Sequence, residues 1–278
     1  MGQIVGGFAT AHIMMSRGSA GNKGERVYQG MKEIGRRIRA LTPDVLVIIS
    51  SDHLYNYDLA FQAPFAIATD ALHQPFGDMS LPTDILPGAE EFATGFVKYS
   101  AENDADLVRL QDYRPDHGIT LPALIIDPAR QTPIVPFIIN TAMDPVPRLA
   151  RAWRYGELLA DYVRTARPAN ERIVVVGTGG LSHWLGVADM GRVNSAFDHA
   201  VIAAINSGKG HILTTWTSDY VLEHGGNGGL EILNWVMMAA TLPGQHGETI
   251  YYEEIPEWVT GMGGIALVPS EQRREAAE

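Results

Sequence analysis

Three histidines of this 278-residue chain share one local setting. His12 comes just after an apolar run, IVGGFA; His53 follows VLVII, in SSDH; His183 follows IVVVG, in GTGGLSH. Each run reads as a strand, and in open α/β sheets ligands collect beyond the carboxyl ends of the strands. Three imidazoles at three such ends can converge on one crevice, although each alone reads more readily as an ordinary loop histidine. GGNGGLEILNW adds a carboxylate, Glu231, flanked by Leu230, Ile232 and Leu233. A glutamate in apolar surroundings is costly unless exposed, paired or bound to a cation. The plainer reading is a glutamate at a helix start, favoured by the macrodipole. Two neutral imidazoles and one carboxylate, with no thiolate, form the donor set of oxygen-activating non-haem Fe(II) sites. The same set holds zinc in two-histidine, one-glutamate hydrolases, but the HExxH spacing of many of those is absent.

The other candidates carry less. His117, in RPDHGIT, reads as part of a Pro/Asp/Gly turn, either hydrogen-bonding beside a site or simply turning the chain. His73 falls in a stretch expected to form a cover loop, and His199, His211, His224 and His246 read as solvated. GTGG at 177–180 resembles a phosphate-cradling loop but lacks GxGxxG and a P-loop lysine, so a tight turn is the better reading. No GxSxG elbow is present.

The elements that must position these groups alternate in type. Residues 4–9, 45–49, 134–139 and 173–176 read as strands; VLVII has the uninterrupted apolar character of a strand buried on both faces. Between them, residues 25–41, 148–164, 194–205 and 227–240 read as helices. Val27, Met31, Ile34, Ile38 and Leu41 are spaced 4, 3, 4 and 3, which is one helix face. Residues 251–255 and 265–268 are short candidate strands. This alternation predicts a single α/β domain with a mostly parallel central sheet flanked by helices, over residues 1–269. Residues 61–86, rich in Pro and Gly, are expected to form a long excursion over the site. Residues 270–278 read as a polar, frayed tail.

Composition narrows the chemistry. With no cysteine, disulfides, iron–sulfur clusters, thiolate metal sites and a cysteine nucleophile are excluded. Lys and Arg number 21 against 32 Asp and Glu, a net charge of −11 that argues against nucleic acid as a partner. No apolar run reaches the ~18 residues of a membrane helix, and the N-terminus does not read as a signal peptide, so a cytoplasmic protein off the membrane is expected.

Five motifs together, AHI, SSDH, DHG, GTGGLSH and GGNGGLEILNWVMMAA, resemble the class III extradiol ring-cleavage dioxygenases, in particular the catalytic β subunit of protocatechuate 4,5-dioxygenase. The resemblance runs from about residue 7 to residue 268. It implies an Fe(II) cofactor held by His12, His53 and Glu231, with His183 as acid/base and His117 assisting substrate or oxygen in the pocket. It implies that both atoms of O2 enter an aromatic ring opened beside a vicinal diol or aminophenol. It also implies a homo-oligomer, or a chain partnered by a small separate subunit. One segment departs: in IPEWVTGMGG, Trp258 and Val259 stand where small polar residues would meet a ring carboxylate in protocatechuate enzymes. Trp184, Trp258 and Thr260 are therefore expected to shape the substrate pocket, and a gallate-like, aminophenol or hydroxypyridine-type ring fits as well as protocatechuate. The alternatives are a non-catalytic metal-binding or interaction protein of the same fold, and a zinc-dependent hydrolase.

Overall fold

The computed structural model describes residues 1–15 and 17–269; the expected tail at 270–278 lies outside them. The chain runs β1 (Gln3–Thr10), α1 (Gly21–Ala40), β2 (Val45–Ser50), β3 (Phe65–Ala68), β4 (Leu72–His73), β5 (Leu86–Pro87), α2 (Glu90–Glu102), β6 (Val108–Leu110) and α3 (His117–Ile126). It continues with β7 (Ile134–Ile139), α4 (Leu149–Ala166), β8 (Arg172–Thr178), α5 (Ser195–Asn206), α6 (Ser218–Gly225), α7 (Ile232–Ala240), β9 (Glu248–Ile255) and β10 (Thr260–Leu267).

Eight strands form one sheet in the order β6-β3-β7-β2-β8-β1-β10-β9. Its centre, β7-β2-β8-β1, is parallel. Antiparallel pairing joins β3 to β7, β10 to β1 and β9 to β10. The uniform apolar runs follow from cover on both faces. In β2, Val45, Val47 and Ile49 join the core under α2, α4, α5 and α7, while Leu46 and Ile48 join the core under α1 and α3. The expected face of α1 is buried throughout, from Val27 to Leu41.

Two expectations need correction. Residues 61–86 are not a plain excursion: FAIA forms β3 inside the main sheet, and Leu72–His73 pairs with Leu86–Pro87 in a separate two-stranded ribbon. The neighbouring prolines and glycines hid a four-residue strand that register alone identifies. His117 is not in a turn but is the first residue of α3, with Asp116 as N-cap accepting the Gly118 N–H. Pro122 inside that helix disguises it in the sequence.

The α4–α7 contact is close. A Cβ at Gly156 would fall against the backbone oxygen of Met237, which cannot rotate away. Gly156→Ala should therefore destabilise the protein by about 1–3 kcal/mol, read as a lowered urea midpoint with an unchanged slope.

Candidate active site

Each functional side chain sits where an element ends. His12 follows β1, His53 follows β2, His117 opens α3, and His183 follows β8. Glu231 closes a 3-10 turn, Gly228–Glu231, that runs directly into α7. That helix is tied to β8 and the loop after it: Asn234 Nδ2 donates to the Thr178 carbonyl at 2.8 Å, and Trp235 Nε1 to the Gly179 carbonyl at 3.3 Å.

These five side chains meet. Glu231 Oε1 lies 3.4 Å from both His12 Nε2 and His53 Nε2, and Oε2 lies 3.9 Å from His183 Nε2. His12, His53 and His117 each offer a possible ligand atom within 4.8 Å of the others. All five line a cavity of about 80 Å3, with Ile13, Gly180, Leu185, Trp258, Val259 and Thr260 completing the wall. A larger open groove near Gly2, Arg154 and Asp161 lies at the opposite, amino end of the sheet. Of the expected pocket residues, Trp258 and Thr260 are on the wall. The Trp184 ring lies under the Arg192 guanidinium, 4.5 Å from it, and Leu185 lines the cavity instead. His73 is not part of a loop over the site; it is buried in β4.

Which ring nitrogen faces the cavity follows from the partner behind each imidazole. His53 Nδ1 meets Asp116 Oδ2 at 3.0 Å, and His117 Nδ1 meets Asp78 Oδ2 at 2.5 Å. His183 Nδ1 meets the Leu181 carbonyl at 3.0 Å. These oxygens only accept, so each Nδ1 carries the proton and donates it. His12 Nδ1 lies 3.3 Å from the Thr178 hydroxyl, whose own proton goes to the Gly118 carbonyl at 2.9 Å; the hydroxyl therefore accepts from His12. That carbonyl is free for Thr178 because Pro122, four residues on, has no N–H to offer it. All four Nε2 atoms are thus left for the cavity.

The charge balance is tense. Burial lowers the His12 imidazole to about 3, against the pull of Glu231. Burial also disfavours the His53 cation, but its hydrogen bonds to Asp116 and Glu231 outweigh this and push it up to about 10. Burial alone would raise Glu231; His12 and the His53 hydrogen bond hold it below the usual carboxylate range. Among the described residues, the groups within ion-pair reach of this buried carboxylate are imidazoles. Such a carboxylate needs a cation, here either a proton on His53 or a metal displacing it.

The donors suit a metal. Around a first-row divalent ion, nitrogen and oxygen ligands at right angles sit roughly 3 Å apart, close to the spacing found. Gly180 N–H holds Glu231 Oε2 at 2.6 Å, which leaves Oε1 to face the two imidazoles. The GTGG turn serves this packing: Gly179, at φ 137°, has no room for a Cβ beside Glu231.

Several supporting residues escaped the sequence reading. Asp116 lay in a segment read as a turn, although an Asp before a helix start is a capping signal; Thr178, Asp78 and Asp198 carried no signal. Asp198, in α5, accepts the Ser182 N–H at 2.7 Å and the Tyr252 hydroxyl at 2.8 Å, and so pins the loop beside His183.

Fold and site together define an α/β protein whose chemistry is assembled at strand ends from imidazoles and a carboxylate. The family described as the catalytic LigB subunit of aromatic ring-opening dioxygenase matches residues 8–263, and the chain belongs to it. It is an enzyme of that ring-opening class. A 2,3-dihydroxyphenylpropionate/2,3-dihydroxicinnamic acid 1,2-dioxygenase from Photorhabdus laumondii is 24% identical, over 95% of this chain and 97% of its own. The enzyme of that name from Rhodococcus jostii is 25% identical, over 81% and 85%. The crystal structure of an uncharacterized protein from Escherichia coli K12 shares the fold with a TM-score of 0.60 at 14% identity, covering 95% of this chain and 99% of that one.

Burial raises the Asp198 carboxyl to about 6, against the hydrogen bonds from Ser182 and Tyr252. Its contribution to stability is therefore fully present below about pH 4 and is lost as pH rises through about 6. Asp198→Asn should remove this dependence. Relative to the wild type, the variant should gain about 2 kcal/mol between pH 4 and pH 7, measured by urea unfolding across that range.

Proposed function

We propose that this chain is an Fe(II)-dependent extradiol dioxygenase, with His12, His53 and Glu231 holding the iron. One observation carries this reading: a buried carboxylate oxygen lies equidistant from two imidazole Nε2 atoms, and two further imidazoles remain in the same cavity. When bound, the iron supplies a template for a vicinal diol and O2 together and lowers the diol's pKa. His117 is kept outside the ligand set because Glu231, not His117, brings the charge that a divalent ion needs.

The remaining steps belong to side chains. His183 donates through Nδ1 to the Leu181 carbonyl, so its Nε2 lone pair is available to take a hydroxyl proton from the substrate. The same nitrogen can return that proton as the ring opens, a double duty suited to an imidazole. Ile13, Leu185, Trp258 and Val259 form an apolar wall that excludes water and packs against the ring. The substrate class is a catechol or aminophenol whose ring substituent lies against this wall. The dihydroxyphenylpropionate named for the relatives falls within it, alongside protocatechuate-like, gallate-like and hydroxypyridine-type rings.

Self-association, and a small subunit over the mouth, belong to the same proposal. Leu54, Tyr55, Met79, Leu185 and Val187 are exposed apolar residues on the loops that carry or support the site histidines. No helix among the described residues is long and apolar enough to cross a membrane; a cytoplasmic location is proposed with the rest.

The test is direct. Protein loaded anaerobically with Fe(II) should consume one O2 per ring opened in an oxygen-electrode screen of 2,3-dihydroxyphenylpropionate, protocatechuate, gallate, catechol and 2-aminophenol. Turnover supported by zinc alone would refute the oxygenase reading. Glu231→Ala should lose its bound iron, whereas His183→Phe should keep the iron and lose about 10²–10⁴ in kcat. Equal iron loss in both would contradict the assignment.

A further inference from the structure

Between β4 and β5 the chain makes an expensive turn. Gly77, Met79 and Ser80 have φ of 84°, 52° and 60°, all in the left-handed region. Two of the three carry side chains, and each such residue costs on the order of 1 kcal/mol. At the centre is Asp78, its side chain only 3% exposed. Oδ2 accepts from His117 twice, from Nδ1 at 2.5 Å and from the backbone N–H at 3.2 Å. Oδ1 is buried with no hydrogen-bond partner. The turn is fastened on both sides, by Phe76 N–H to the Pro115 carbonyl at 2.8 Å and Leu81 N–H to the Asp78 carbonyl at 3.0 Å.

Left-handed backbone on either side of Asp78, its buried carboxyl group and an orphaned oxygen are three costs gathered in one short turn. Folding alone gives little return for them; strain of this kind persists where the surroundings hold a group in place. The group held is the His117 ring. Without an acceptor behind Nδ1, either tautomer is open to it and the ring can rotate away from the cavity.

We propose that Asp78 is a positioning residue for His117. Its carboxylate fixes the Nδ1–H tautomer and points Nε2 into the substrate cavity, and the left-handed turn exists to deliver that carboxylate. The consequence for catalysis rests on the ring-opening reading above; the pairing itself does not.

Two measurements separate them. In 15N NMR of the metal-free wild type, His117 should show a protonated, pyrrole-type Nδ1 and a low-field Nδ1–H resonance, assigned by its loss in His117→Phe. Asp78→Asn removes the charge but no atoms of the turn. It should shift this resonance upfield and mix the two tautomers. In the iron-loaded enzyme, the same variant should lose about 10- to 100-fold in kcat, with KM within about 3-fold and iron content unchanged. An unprotonated Nδ1 in the wild type, an unmoved resonance in Asp78→Asn, or an undiminished kcat would each overturn the proposal. If the wild type opens no ring, the NMR result still decides the pairing, and it is the ring-opening reading that fails.

Discussion

The acceptor behind each imidazole is the interaction on which the site depends. An imidazole has two nitrogens, and in a buried crevice the one not used for chemistry must be satisfied elsewhere. Here Thr178, Asp116, Asp78 and the Leu181 carbonyl take the four Nδ1 protons. The result is one polarity for the cavity: four Nε2 atoms and a carboxylate face inward, and the one inward proton, on His53 against Glu231, is the one a metal would displace. An apolar crevice of the same size would be more stable, but it could neither hold a cation nor move a proton.

The fold supplies these acceptors economically, because α3 is shared. Asp116 caps α3 through Gly118 N–H and also takes both the backbone N–H and the Nδ1 proton of His53. The Gly118 carbonyl, released by Pro122, takes the Thr178 hydroxyl proton and thereby sets the direction of the His12 hydrogen bond. A Cβ at Gly118 would strike Ser50 Oγ and approach the His53 ring. One short helix thus governs the ends of β1, β2 and β8 together. A proline that reads in sequence as a helix breaker is part of the reason the site is ordered.

Some of these elements show in the sequence pattern and others do not. The parallel core was legible because strands covered on both faces show as unbroken apolar runs, and α1 because its buried face repeats at helical spacing. Of the five side chains at the cavity, His12, His53 and His183 were legible by position, since a histidine directly after a buried run has few places to point; Glu231 showed only as a carboxylate among apolar residues, and His117 showed only through the family resemblance. β3 was not, because a four-residue strand among prolines has no period to display. Nor was α3, because Pro122 imitates a stop signal when only the local sequence is considered. The acceptors were hidden for a different reason: Thr178 is 166 residues from His12, and Asp78 is 39 from His117. Such pairings exist only once the sheet has formed.

Glu231 completes the donor set. Its two oxygens are not equivalent: Oε2 is held at 2.6 Å by Gly180 N–H, while Oε1 is left midway between His12 and His53. A carboxylate fixed by one oxygen offers a single ligand atom rather than a chelating pair. Together with His12 and His53 it would hold a metal ion, while His117 and His183 stay available in the same cavity. Gly179, with no Cβ and at φ 137°, is what allows the Gly180 N–H to reach Oε2. The division of labour between the two oxygens is therefore written into the tight turn after β8, where the sequence shows only GTGG.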